Sequence, residues 1–133
     1  MSGSPLDDLE EIARRALAVS GVQSAAIFFV PPGTSAPQLA TAAGIAGPAL
    51  DDLVAAVRNP DHPVTRALTD EGPTFDVLPM APGGPKLRSH LPLVSDRGEI
   101  VGVLAVAHDL PLGDEQRADL IELAGYAASA IVG

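Results

Sequence analysis

The chain has no cysteine and no tryptophan, and aromatic residues make up 3% of its 133 positions. Without thiols there are no disulfides, thiolate metal sites, iron–sulfur clusters, thiol nucleophiles or sulfur-linked chromophores. So few aromatics leave little on which bases or flat cofactors could stack. Basic residues are also scarce, 8 Lys and Arg against 17 Asp and Glu, for a net charge of −9. That charge repels nucleic acid and anionic membranes, and Arg14-Arg15 is the only adjacent basic pair. No apolar run approaches the length of a membrane span, and no basic segment followed by an apolar one opens the chain. The expectation is a cytoplasmic protein with no nucleic-acid or membrane partner.

Hydrophobic residues make up 47% of the sequence, enough for one folded domain over 1–133. The clearest pattern lies in the last third. Leu87 to Val94 and Ile100 to Ala107 are two apolar runs separated by Asp96-Arg97-Gly98-Glu99, which reads as a hairpin. The second run is apolar at every position, so it predicts a strand covered on both faces. Ala25 to Val30 predicts another such strand, ended by Pro31-Pro32-Gly33. Gln38 to Ile45 predicts a weaker edge strand, and Thr74 to Leu78 a short one.

Helices fall between them. Ser4-Pro5-Leu6-Asp7 has the form of a helix start, with apolar residues following at Leu6, Leu9, Ile12, Ala13, Ala16 and Leu17 on one stripe. Pro48 to Arg58 predicts a short helix. Asp61 or His62 caps another that carries Val64, Ala67 and Leu68 inward. The last helix runs from about Asp114 to Ile131. It is amphipathic until Glu122 and nearly all apolar after it, so its second half should be covered all round.

Chemistry-bearing residues are few. His108 is in phase with Gly102, Leu104 and Val106 at a strand end, where it could meet a ligand or sit at the surface. Arg88 and His90 share a strand face and could meet an anionic group. Capping explains His62 without function. The histidines lack metal-ligand spacing, so no metal and no cofactor is expected. The acidic pairs Asp7-Asp8, Glu10-Glu11, Asp51-Asp52 and Asp70-Glu71 suit helix starts and loops better than acid–base catalysis. Gly83-Gly84 lies between prolines and lacks a phosphate-loop pattern, and no nucleophile has a visible base.

In order and spacing these pieces resemble the GAF domain family. The resemblance is carried by His62-Pro63-Val64 through Gly72-Pro73, by Leu87-Arg88-Ser89 with Leu91-Pro92-Leu93, by Gly98 with Val101-Gly102-Val103-Leu104, and by Leu120-Ile121-Glu122-Leu123-Ala124 with its Ala-rich tail. It implies an α/β (α+β) fold: a central antiparallel sheet of five to six strands, with the N- and C-terminal helices on one face. Short helices and loops lie over a pocket on the other. It places Phe75 and Asp76 on a strand bordering that pocket, where plain core is the alternative for Phe75. It also makes Pro79 to Pro85 a lid with Met80 turned inward. The candidate ligand-binding residues are therefore Phe75, Asp76, Met80, Arg88, His90 and His108. Some stand-alone relatives reduce free methionine sulfoxide with cysteines, which this chain lacks. The leading reading is a non-enzymatic sensory or regulatory module that binds an apolar or weakly polar small molecule and acts as a homodimer through its first and last helices, or through a partner protein. The alternative is a dimerising scaffold with a filled pocket and no ligand.

Overall fold

A computed structural model describes residues 5–31, 33, 37–59, 61–68, 72–78 and 87–132. The elements follow as α1 (Pro5–Ala18), β1 (Val22–Phe29), β2 (Gln38–Ala43), α2 (Gly47–Ala56), α3 (Pro63–Ala67), β3 (Thr74–Val77), β4 (Leu87–Val94), β5 (Ile100–His108) and α4 (Asp114–Val132). The five strands form one sheet in the order β2-β1-β5-β4-β3, and all neighbours are antiparallel. Gln38–Ala43 is an edge strand, as its Ala-rich, weakly apolar composition predicts. β1 starts earlier than its apolar run, because Val22 pairs with His108 at the far end of β5.

The uniformly apolar strands β1 and β5 lie in the middle of the sheet, where both faces are covered. On one face Ala25, Ile27, Leu91, Leu93, Leu104 and Val106 pack against α1 and α4. The helices contribute Leu9, Ile12, Ala13 and Ala16 from α1, and Leu120, Leu123, Ala124, Ala127 and Ala128 from α4. On the other face Ala26, Phe28 and Val103 meet Val57 from just beyond α2, and Val64 and Ala67 from α3. Each large aliphatic side chain buried in these layers contributes about 2 kcal/mol of transfer free energy.

Local signals fix several boundaries. His62 is the N-cap of α3, and its Nδ1 accepts the Val64 N–H at 3.1 Å. Pro63 fills the first helical position, where a missing N–H costs nothing. In the β4–β5 turn the Ser95 N–H donates to the Glu99 carbonyl at 2.8 Å, and Gly98 adopts φ +81°, which suits a residue without Cβ. The α4 tail is only partly covered within the chain: Ala127 and Ala128 are buried, while Gly125, Tyr126, Ser129 and Val132 are exposed.

Candidate functional site

β4 alternates, so its successive side chains serve opposite faces of the sheet. Ser89 shares the helix-covered face with Leu91 and Leu93, and there it meets His108 from β5. Ser89 Oγ is 2.8 Å from His108 Nε2, and His108 Nδ1 is 2.8 Å from the Leu110 carbonyl oxygen. A carbonyl only accepts, so Nδ1 carries a proton; in the neutral ring Nε2 then accepts from the Ser89 hydroxyl. Ser89 Oγ in turn accepts the Asp76 N–H at 3.2 Å.

Asp76 carries the network on to α4. Its carboxylate accepts the Leu112 N–H at 3.0 Å and an Arg117 Nη2–H at 2.6 Å. Arg117 also donates from Nε to the Leu112 carbonyl at 3.1 Å, and its guanidinium lies 4.7 Å from the centroid of the Phe75 ring. Asp76 has φ +59°, the only left-handed non-glycine residue among those described. That conformation suspends the strand's alternation, so Phe75 and Asp76 both engage Arg117.

The Ser89–His108 pair has the heavy-atom spacing of a nucleophile and its base. Both residues are fully buried beneath the helix layer, so no carbonyl substrate reaches them. The network is instead a strap joining β3, β4, β5 and the start of α4. Ser89→Ala removes the hydroxyl that serves the Asp76 N–H and His108 Nε2 and leaves both buried without it. A loss of about 2 kcal/mol is expected, read from the shift in denaturant midpoint at constant slope.

Arg88 and His90 lie on the other face. Their cross-strand neighbours are Ala107 and Ala105, and Ala105 packs with the cluster beneath α2 and α3. His90 is 3% exposed, and its Nδ1 has no hydrogen-bond partner among the described residues. Burial, helped by the nearby His62 and Arg88, pushes its imidazolium pKa down to about 4. Burial likewise lowers the pKa of His62. It also lowers that of Arg88, against the opposing attraction of Asp109. Arg88 Nη1 donates to its own Leu87 carbonyl at 3.2 Å.

The expected site residues thus separate. The structure brings Arg88 and His90 together, with His62 beside them on the α3 side. It places Phe75, Asp76 and His108 on the opposite face, tied into the strap and away from the face that the short helices cover. Met80 and the segment 79–85 lie outside the described residues. The sequence reading missed Ser89 and Arg117 as members of the strap. Ser89 had a signal, its phase with Leu91 and Leu93; Arg117 had none, being one polar residue among several in the first half of α4. Among the described residues no group of three or more His, Cys, Asp or Glu could hold a metal ion, and no helix is long and apolar enough to cross a membrane.

A five-stranded antiparallel sheet with long helices on one face, and short helices over the buried His90 on the other, is the architecture of a small α/β domain. The GAF domain profile matches residues 5–132. Among solved structures, the GAF domain of an Acinetobacter phosphoenolpyruvate-protein phosphotransferase is similar at TM-score 0.77 and 16% identity, over 98% of this chain and 84% of that one. The GAF-B domain of DevS from Mycobacterium smegmatis gives TM-score 0.73 and 22% identity, over 97% and 93%. A type II free methionine-R-sulfoxide reductase from Thermoplasma acidophilum gives 0.75 and 12%, over 96% and 92%. No curated protein matches the sequence. The chain belongs to the GAF domain family, in which members are generally sensory, ligand-binding modules.

Proposed function

We propose that this domain is a non-enzymatic cytoplasmic sensor that binds a small molecule on the sheet face bearing Arg88 and His90, and that it signals as a homodimer through α1 and α4. The observation that carries the ligand reading is the buried Nδ1 of His90, which has no hydrogen-bond partner among the described residues. A buried polar atom without a partner costs about 1–3 kcal/mol, which a bound molecule recovers. The reductase activity of the Thermoplasma neighbour does not transfer on fold alone, and this chain has no cysteine. Native mass spectrometry of protein purified from its own host tests the reading: a stoichiometric small-molecule adduct supports it. A clean mass, together with no thermal shift across a metabolite library, overturns it.

The second reading is a dimerising scaffold that binds nothing. It is favoured by Phe28, Val57, Val64 and Val103, which fill the β1–β5 part of the same face. Both readings share the dimer. Between α1 and α4 runs a groove of about 440 Å³ lined by Asp8, Glu11, Arg15, Tyr126 and Ser129 among others. Tyr126 is half exposed beside it, within reach of Glu122. Tyr126→Asp adds a charge at the centre of this surface without touching the buried Ala127. It is expected to convert a dimer into a monomer at tens of micromolar by light scattering. A monomeric unsubstituted protein at that concentration overturns the dimer.

A further inference from the structure

The chemistry around His90 narrows what this face would hold; the argument rests on reading the face as a ligand site. Three nitrogen-bearing side chains from two elements meet there: Arg88 and His90 from β4, and His62 at the start of α3. His62 Nδ1 is occupied as the acceptor of the Val64 N–H, so in the neutral ring its Nε2 carries the proton and is a donor. Arg88 can only donate. The residues opposite His90 and Arg88 on β5 are Ala105 and Ala107, which bring only single methyl groups and no competing polar atom to this face. Asp109, at the end of β5, faces Arg88 and offsets part of its charge. His62 and Arg88 both oppose a positive charge on His90, and no described carboxylate offsets them at that ring. A metal ion is a poor match, because the described residues offer no group of three His or carboxylate ligands.

We propose that the His90 face binds an oxyanion, a carboxylate or phosphate group on a small molecule, which accepts a hydrogen bond from His90 Nδ1–H and lies beside His62 and Arg88. A neutral imidazole serves as donor in the tautomer that protonates Nδ1. An anion placed there satisfies the orphaned nitrogen and lies in a field that favours its charge. A cation would instead meet the positive field that His62 and Arg88 set up at the His90 ring. Arg88 adds the long-range part and, where it reaches the group, a charge-assisted contact.

The test uses the full chain and three small probes: acetate, inorganic phosphate and acetamide, the neutral analogue of acetate. Long-range 1H–15N spectra follow the His90 ring nitrogens as each is added. Acetate, phosphate or both are expected to shift the His90 signals saturably, while acetamide does not. Saturation by acetate alone assigns a carboxylate, and by phosphate alone a phosphate. Arg88→Gln is expected to weaken the responding anion about tenfold or more, the range of a charge-assisted hydrogen bond. Arg88→Lys, which keeps the charge, should hold affinity within a few-fold and guards against a folding defect. Acetamide binding as tightly as acetate, or anion affinity unchanged in Arg88→Gln, overturns the oxyanion assignment and leaves the face a ligand site. No response at His90 to any probe also overturns the oxyanion assignment. If, in addition, no adduct is carried from the native host, the ligand reading falls with it.

Discussion

Lowering the pH from 7 to 4 is expected to remove roughly 3 kcal/mol of stability through His90 alone. The imidazole of the unfolded chain takes up a proton near pH 6.5, whereas burial beneath α3 holds the folded group to about 4. Between these values the unfolded state binds the extra proton, so stability falls as pH falls through 6.5 and levels off below 4. At pH above 6.5 neither state is charged at this group and the term vanishes. The depressed pKa of His62 acts in the same direction. Guanidinium unfolding at pH 7, 5.5 and 4 measures the effect, with His90→Leu as the non-titrating reference. The variant should lose less stability on acidification than the parent. Equal losses in the two proteins would show that His90 is not the buried neutral group described here, and direct imidazole titration by NMR would show the same if the variant does not fold.

Gly102→Ala should cost on the order of 3 kcal/mol, although it adds one methyl group to an apolar strand. Gly102 sits mid-strand in β5 between Phe29 of β1 and Leu93 of β4. A Cβ there would drive into the Phe28 carbonyl oxygen and come within 3.0 Å of Leu93 Cδ1. The first obstacle is backbone of the central strand pair, which cannot move without breaking the β1–β5 ladder. Gly125→Ala on α4, where an added Cβ meets nothing within 4 Å, is the matched control and should be neutral or stabilising. Thermal melts of the two variants decide it. A Gly102→Ala protein melting within a degree or two of the parent would show that the two strands do not approach so closely.

Much of this architecture was legible in the residues because several local signals agreed. The all-apolar Ile100 to Ala107 run placed β5 inside the sheet, the turn at Asp96 to Glu99 made the hairpin, and His62-Pro63 set the start of α3. What periodicity could not supply was the facing of the histidines. His108 was correctly in phase with Gly102, Leu104 and Val106, but β5 is apolar in both phases, so hydrophobicity cannot tell which phase meets the long helices. Its pairing with Ser89 comes from two strands meeting, and neither strand shows it alone. For Phe75 and Asp76 the resemblance gave a strand beside the pocket, and nothing in the residues showed which side they would take. The left-handed backbone at Asp76 turns two successive residues to one side, and Asp carries that conformation without a glycine to announce it. The burial of His90 was hidden for a similar reason: a histidine beside an arginine reads as a solvated stretch until α3 is laid over it.

The left-handed residue in β3 has a consequence for how freely the sequence can drift. Position 76 must tolerate φ +59° and also present a carboxylate to the Leu112 N–H and to Arg117. Glycine meets the first demand only. Glutamate meets the second in charge, but with a longer arm and a poorer fit to the backbone. Asparagine keeps the conformation and one acceptor oxygen, and gives up the ionic half of the contact with Arg117. Position 76 is thus an evolutionary bottleneck. Change there should come in step with change at Arg117, and an exhaustive substitution scan should find it among the least tolerant half-buried positions of the domain.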